Sequence, residues 1–256
     1  MCIRDRLYIL EVLFCSGLLL AFYRLLLVRK VSFRACRRYL VAAVFLSAVI
    51  PALDIPLYPA RTVVYPLPLI AAPPAENFVQ TTGELPVAVP VVPSGWRRIL
   101  RPMAVGGYLT AVFLSLGFLA VRMVGIRRLR RRSRLTDCGA YTLAEHPQIA
   151  TPFSFLRTVF LGGGYEGRRR MIVLCHEAGH VRHRHSAERI AVELVRSLFW
   201  FNPFVWIAGR WLQEVHEWEA DRDVLDAGYD LTEYRTVIFH QLFGHNPDIA
   251  CGLNHS

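Results

Sequence analysis

The residues best suited to chemistry form an HExxH pattern, which reads HEAGH from His176 to His180. Residues four positions apart share one face of a helix, so His176 and His180 can present imidazole nitrogens to a single metal ion. Zinc takes histidine nitrogens at about 2.0–2.1 Å, and Glu177 on the neighbouring face can reach a water bound to that ion. The pattern therefore predicts a zinc hydrolase with His176 and His180 as ligands and Glu177 as catalytic base.

A catalytic zinc ion normally has a third protein ligand, and the best candidate lies in the sequence EWEAD at residues 217–221. Glu217 and Asp221 are one helical turn apart on one face, so we predict that Glu217 is the third ligand and that Asp221 orients a ligand imidazole. Glu219 is the competing carboxylate, but it points to another side of the helix. His216 is a further candidate, as a donor to the transition-state oxyanion. The run Arg182–His185 is interpreted as a solvated or lipid-facing surface rather than a second metal site.

The composition of the 256-residue chain indicates a membrane protein. It is 54% hydrophobic and 20% charged, whereas an average soluble domain is about 45–50% apolar and about 25% charged. About 20 helical residues cross the hydrocarbon core of a bilayer, and three apolar segments are long enough: Leu7–Val28, Tyr39–Leu57 and Met103–Val121. The six cysteines form no CxxC pair, which excludes a zinc knuckle or a redox motif.

Basic residues beside these spans predict their orientation. The net charge of +10 is concentrated in residues 29–38 and 127–134, as the positive-inside rule expects of cytoplasmic loops. This placement argues against direct nucleic-acid binding. The N-terminus is then outside, residues 59–101 form a proline-rich outer loop, and the chain is cytoplasmic from residue 125 onward. The outer loop is either a solvated spacer or a sensor surface.

The apolar stretch between the two motifs cannot cross the membrane once, because the ligands on either side of it must meet at one ion. Asn202-Pro203 interrupts the stretch, so we predict a re-entrant or membrane-lying helical hairpin, with the site at the cytoplasmic membrane face. Ahead of HExxH, Ala140–Ala144 and Phe155–Leu161 are predicted strands of a small sheet. The second is either an edge strand that pairs with an extended substrate or a packed core segment.

The motifs occur in a recognisable order. After two spans, an outer loop and a third span with a basic exit come TPFSF, HEAGHVRHRHS, WFNPFVW and EVHEWEAD. In this order the chain resembles the membrane zinc metallopeptidases typified by the BlaR/MecR-type antirepressors, which sense β-lactams in bacteria. The resemblance implies a gluzincin-type fold, Zn²⁺ bound by His176, His180 and Glu217, and Glu177 as base. It also implies proteolysis of a cytoplasmic regulator, often a transcriptional repressor, after a signal from outside.

The expected architecture is a mainly α, multi-pass protein of the bacterial inner membrane. Residues 1–58 hold two transmembrane helices with a basic cytoplasmic loop, 59–101 the outer loop, 102–124 the third transmembrane helix, and 125–256 a cytoplasmic α+β zinc peptidase domain. We expect the chain to be truncated at its C-terminus, because the antirepressors continue into an extracellular penicillin-binding sensor. The resemblance therefore does not predict that this chain senses β-lactams. Expected partners are membrane lipid and a cytoplasmic protein substrate, with a homodimer left open.

Two other functions stay open. One is a quality-control membrane gluzincin of the heat-shock or prenyl-protease type, which shares HExxH and an ExxxD-type motif. The other is a non-catalytic membrane scaffold that binds zinc for structure alone; the presence of Glu177 argues against it, because a structural site has no use for a base.

Overall fold

The computed structural model describes residues 3–28, 30–53 and 95–243, which are mainly helical. A π-helical turn, Tyr23–Leu27, extends the first helix, and a 3₁₀ turn, Ile50–Ala52, containing Pro51 ends the second. The helices are α1 (Ile3–Phe22), α2 (Phe33–Val49), α3 (Gly95–Arg132), α4 (Gly167–Arg182), α5 (His185–Leu198), α6 (Pro203–Asp226) and α7 (Leu231–Phe243). The strands are β1 (Arg134–Asp137), β2 (Thr142–Glu145), β3 (Phe153–Phe155) and β4 (Thr158–Leu161).

Three helical segments are long and apolar enough to cross a membrane: Tyr8–Leu27, Phe33–Ala52 and Pro102–Arg132. The second begins earlier than the predicted Tyr39, because Ser32 caps the helix with a side chain that accepts from the backbone N–H of Ala35. The basic residues from Arg34 onward are therefore on the helix and not in a loop. The third continues through its basic run as one helix. The predicted end of the second span at Leu57 and most of the proline-rich loop lie outside the described residues.

The strands form one sheet in the order β1-β2-β4-β3, with β2 and β4 parallel and the outer pairs antiparallel. The predicted strand Phe155–Leu161 is wrong in extent. Leu156 has a positive φ of 52° and turns the chain between β3 and β4. Within this segment the edge strand is therefore β3, while β4 is buried at all four positions in the middle of the sheet. The sequence did not predict β1, whose four residues are all exposed and lack apolar alternation.

Two of the three apolar cores of the described residues include helix α6. One lies between the sheet and α4, α6 and α7, and includes Val159, Ile172, Val224 and Val237. The other lies among α1, α2, α5 and α6, and includes Leu40, Val192 and Leu212. Since α6 contributes to both cores, it connects the apolar N-terminal helices to the α+β part of the chain.

A break at residues 199–202 separates α5 from α6, where the sequence predicts the turn of a hairpin. Asn202 is the N-cap of α6 and accepts from the Phe204 N–H at 2.9 Å, and Pro203 occupies the first turn. The buried Asn202 side chain also donates to Ser16 Oγ at 2.8 Å. Ser16 lies near the middle of the first candidate span.

Candidate metal centre

The two motif helices approach each other closely at Gly179. A Cβ atom on this residue would lie 3.4 Å from the Ala220 Cα and 2.9 Å from Asp223 Oδ2. The absence of a side chain at Gly179 therefore favours the close contact between α4 and α6. Because of this contact, Glu217, less than one turn before Ala220, faces the two histidines of α4.

The structure brings the three predicted ligands together. The Nε2 atoms of His176 and His180 are 3.2 Å apart, and Glu217 Oε2 lies 3.4 Å from the first and 3.6 Å from the second. Ligand atoms bound tetrahedrally at about 2.0–2.1 Å are separated by about 3.3–3.4 Å. Among the described residues, this is the group of three metal-binding side chains whose ligand atoms converge. Its spacing fits a zinc ion with a fourth position left for water or substrate.

The ring of His176 is held from its other side. Its Nδ1 lies 2.8 Å from the Tyr234 hydroxyl and 3.3 Å from Asp221 Oδ1, and the Tyr234 hydroxyl donates to Asp221 Oδ1 at 2.5 Å. A metal at Nε2 leaves the proton on Nδ1, where both oxygens can accept it. Asp221 thus lies where its predicted orienting role requires. Sequence reasoning missed Tyr234, because no motif includes it and only the packing of α7 brings it to the site.

Electrostatics favour a cation between these side chains. Burial lowers the pKa of His176, but hydrogen bonds to Asp221 and Glu217 outweigh that effect and raise it to about 9. Burial raises the pKa of Glu217, yet its hydrogen bonds to His176 and His180 leave it well below the ordinary value. A proton on the imidazoles therefore compensates the negative charge of the carboxylates. A divalent metal ion can replace that proton.

Glu177 lines the same cleft as two of the predicted ligands, His176 and Glu217. The cleft has a volume of about 290 Å³ and is also lined by Thr151, Asp221, Tyr234 and Ile238. Burial raises the pKa of Glu177, opposed by His180 and His176 and by a hydrogen bond with Ser154. A buried carboxylate with raised proton affinity, next to a metal-binding group, is suited to take a proton near neutral pH.

Strand β3 packs beside α4, near the site. Ser154 of this strand bonds to Glu177, and Phe153 stacks on Phe160 of β4 at 4.5 Å between ring centroids. Since β3 is the last strand of the sheet, one of its edges has no strand partner among the described residues. That edge can pair with an extended peptide next to the metal-binding group.

Comparison with known protein families agrees with this geometry. The model of the family described as BlaR1 peptidase M56 matches residues 17–254, which is most of the chain. This chain belongs to the BlaR1 peptidase M56 family. It is therefore a peptidase of a metallopeptidase family, and its three long apolar helices are those of a membrane protein. No curated protein matched the chain.

In this M56 peptidase, a second buried network holds His180. The Nδ1 atoms of His180 and His185 are 2.8 Å apart, and His185 Nε2 lies 3.1 Å from Glu219 Oε2. Glu219 in turn accepts from Arg37 Nη1 at 2.6 Å. As expected from the sequence, Glu219 points away from Glu217. It is nevertheless buried, and it bonds to His185, which in turn contacts the predicted ligand His180.

The interpretation of Arg182–His185 as a solvated surface is wrong for its histidines. His185 is buried, and His183 lies 2.8 Å from Asp223 Oδ2 with a mostly buried side chain. The chain turns between α4 and α5 at Arg184, whose φ is 59°, so the run folds back against α6. A stretch of alternating Arg and His gave no periodicity from which this turn could be predicted.

His216 does not lie where an oxyanion donor would be needed. Its Nε2 is bonded to Glu188 Oε2 at 2.9 Å, and its ring stacks on His185 at 4.0 Å between centroids. Its side chain is buried in the network behind the ligands and is not part of the cleft wall.

Replacing Asp221 by Asn is expected to weaken zinc binding by about 10–100-fold, the usual cost of losing a carboxylate that supports a ligand histidine. The amide keeps the shape of the side chain but removes the charge that favours a proton on His176 Nδ1. Zinc affinity would be measured by competition with a chromophoric chelator. Asp226→Asn is the matched control, because Asp226 is an exposed carboxylate on the same helix. Equal affinities of the two variants would contradict the role of Asp221.

Proposed function

We propose that this chain is a membrane-embedded zinc endopeptidase that hydrolyses a peptide bond of a cytoplasmic regulator, such as a transcriptional repressor. The main support is the triangle of His176, His180 and Glu217 donor atoms, with edges of 3.2–3.6 Å. Two of these ligands, His176 and Glu217, line one cleft with the buried Glu177. The donor set of two imidazoles and one carboxylate is that of catalytic zinc sites.

The proposed chemistry uses the residues of this cleft. Zinc held by the three ligands would polarise the scissile carbonyl and lower the pKa of a bound water towards neutrality. Glu177 accepts a proton from the attacking water as the new C–O bond forms. It then donates that proton to the leaving amine as the C–N bond breaks. Strand β3 holds the substrate extended through backbone hydrogen bonds.

We infer that the site faces the cytoplasm. Arg37, at the basic end of α2, forms ion pairs with Glu219 of α6 and Glu188 of α5. The basic end of α2 and the metal-binding group therefore lie on the same side of the bilayer. Since basic loops are retained in the cytoplasm, this side is the cytoplasmic one. The contact between Asn202 and Ser16 supports a hairpin that enters the membrane beneath the site.

An experiment in cells tests the proposed function against quality-control proteolysis. Cells producing the parent chain or its Glu177→Gln variant would be compared by quantitative mass spectrometry of protein N-termini. We expect the parent to generate new N-termini in one or a few cytoplasmic proteins, with an intact regulator accumulating in the variant cells. Broad stabilisation of misfolded membrane proteins in the variant cells would overturn the proposal in favour of quality control. No difference between the two cell lines would overturn the peptidase function itself.

A further inference from the structure

A ligand histidine coordinates a metal well only when its ring is held in one orientation and one tautomer. For His180, the residue that holds the ring is another histidine, His185. With a metal on Nε2, Nδ1 of His180 bears the proton and donates to Nδ1 of His185, 2.8 Å away. His185 must then carry its own proton on Nε2, which donates to Glu219 Oε2 at 3.1 Å. The carboxylate that orients this ligand thus acts through an intervening imidazole.

Arg37 holds the far end of this chain of contacts. Its side chain is 14% exposed, that of Glu219 is 6% exposed, and the two are joined at 2.6 Å. Arg37 Nε also lies 3.3 Å from Glu188 Oε1, and Glu188 accepts from His216, whose ring stacks on His185. One guanidinium therefore contacts the carboxylate partners of both stacked imidazoles.

Removal of Arg37 would leave the Glu219 carboxylate buried without its closest cation. Arg34 also approaches Glu219, at 3.7 Å, but its side chain is 74% exposed, so its pairing is weak. A buried charge that loses its partner is costly, so the carboxylate is expected to move and to release His185. His180 would then lose the acceptor that fixes its ring.

We propose that Arg37 is a positioning residue of the metal site, which sets the orientation of His180 through Glu219 and His185. The inference rests on the proposed zinc peptidase function. Arg37 lies on α2, a candidate membrane span, and is 182 residues from Glu219 in sequence. A displacement of α2 that breaks the contact with Glu219 would act on His180 as removal of the guanidinium does.

The test measures zinc affinity of the purified full chain by chelator competition, together with the visible absorption spectrum of the cobalt-substituted protein. Arg37→Gln is compared with Arg38→Gln. Both variants lose one positive charge from the same end of α2, but Arg38 is exposed. We expect Arg37→Gln to bind zinc about 10–100-fold more weakly, as for other partners of ligand histidines, with an altered cobalt spectrum. Arg38→Gln should match the parent in both measurements.

A double variant tests the path from Arg37 to His180. If Arg37 acts through Glu219, combining Arg37→Gln with Glu219→Gln adds no further loss. The double variant will then bind zinc at least as tightly as the single variant with the lower zinc affinity. Arg37→Lys should recover part of the affinity, because an ammonium can pair with Glu219 but cannot bridge two carboxylates as a guanidinium does. Should Arg37→Gln fail to fold, the isosteric Glu219→Gln variant measures the same link, with the same expected loss.

The inference is overturned if Arg37→Gln matches Arg38→Gln in affinity and spectrum, if the losses of the single variants multiply in the double variant, or if Glu219→Gln binds zinc like the parent. Each of these results leaves the proposed function standing as long as the parent binds zinc and cleaves its substrate. A parent chain that binds no zinc overturns the proposed function, and this inference with it.

Discussion

Replacement of Glu177 by Gln should leave zinc binding intact and lower kcat by about 10²–10⁴-fold, the range expected for loss of a general base. The amide has the size of the carboxylate but cannot accept the proton of the attacking water. Glu177 is buried in the cleft wall, and its carboxylate is separate from the triangle of converging ligand atoms. Zinc content by elemental analysis and cleavage of a quenched fluorescent peptide spanning the cellular cleavage site would be measured on the same preparation.

Glu166→Gln is a suitable control for this change, since Glu166 is an exposed carboxylate at the N-cap of the same helix and its side chain forms no capping bond. Its activity should equal that of the parent. Parental activity in Glu177→Gln would show that another group is the base. Loss of zinc together with activity would show instead that Glu177 holds the metal.

Glu217→Ala should lose zinc, because it leaves two imidazoles where a catalytic site needs three protein ligands. Loss of an outer partner already lowers metal affinity by about 10–100-fold, so loss of the ligand itself is expected to exceed about 100-fold. Activity should follow zinc occupancy and recover in part at high zinc concentration. Chelator competition and activity titrated against zinc would measure both effects.

Glu214→Ala is the matched control for Glu217→Ala, as an exposed glutamate on α6 one turn earlier. It should bind zinc as the parent does. If Glu217→Ala also bound zinc like the parent, the third ligand would be a different residue. Glu219→Ala distinguishes the roles of the two carboxylates. It disturbs only the contacts from Glu219 through His185 to His180, so it should lower zinc affinity less than Glu217→Ala does.

The parts of this protein that could be predicted from sequence depend on local geometry. The pair His176 and His180, like Glu217 and Asp221, shares a helix face whatever the helix packs against. The apolar segments are recognisable because their length must match the bilayer. Asn202-Pro203 marks the hairpin turn, since a cap followed by proline begins a helix.

Prediction from sequence was less accurate where the local residue pattern is compatible with more than one structure. The second span begins at Phe33 rather than Tyr39, because a polar helical turn extends it beyond the apolar stretch. The apolar run Phe155–Leu161 contains a turn at Leu156, because a short hairpin and a single strand have the same composition. A short apolar run without proline can be an edge strand or a central strand, so its composition does not predict its place in the sheet.

The sequence by itself determined the chemistry of this protein: a helical pair of histidines with a glutamate between them, a second acidic helix, and the apolar spans beside them. Only the tertiary structure decided what surrounds those residues. Tyr234 reaches His176 because α7 packs over the cleft, and His185 reaches His180 because the chain reverses at Arg184. Arg37 meets Glu219 across 182 residues of sequence. Such contacts depend on how whole helices pack, and residue spacing along one helix does not encode them.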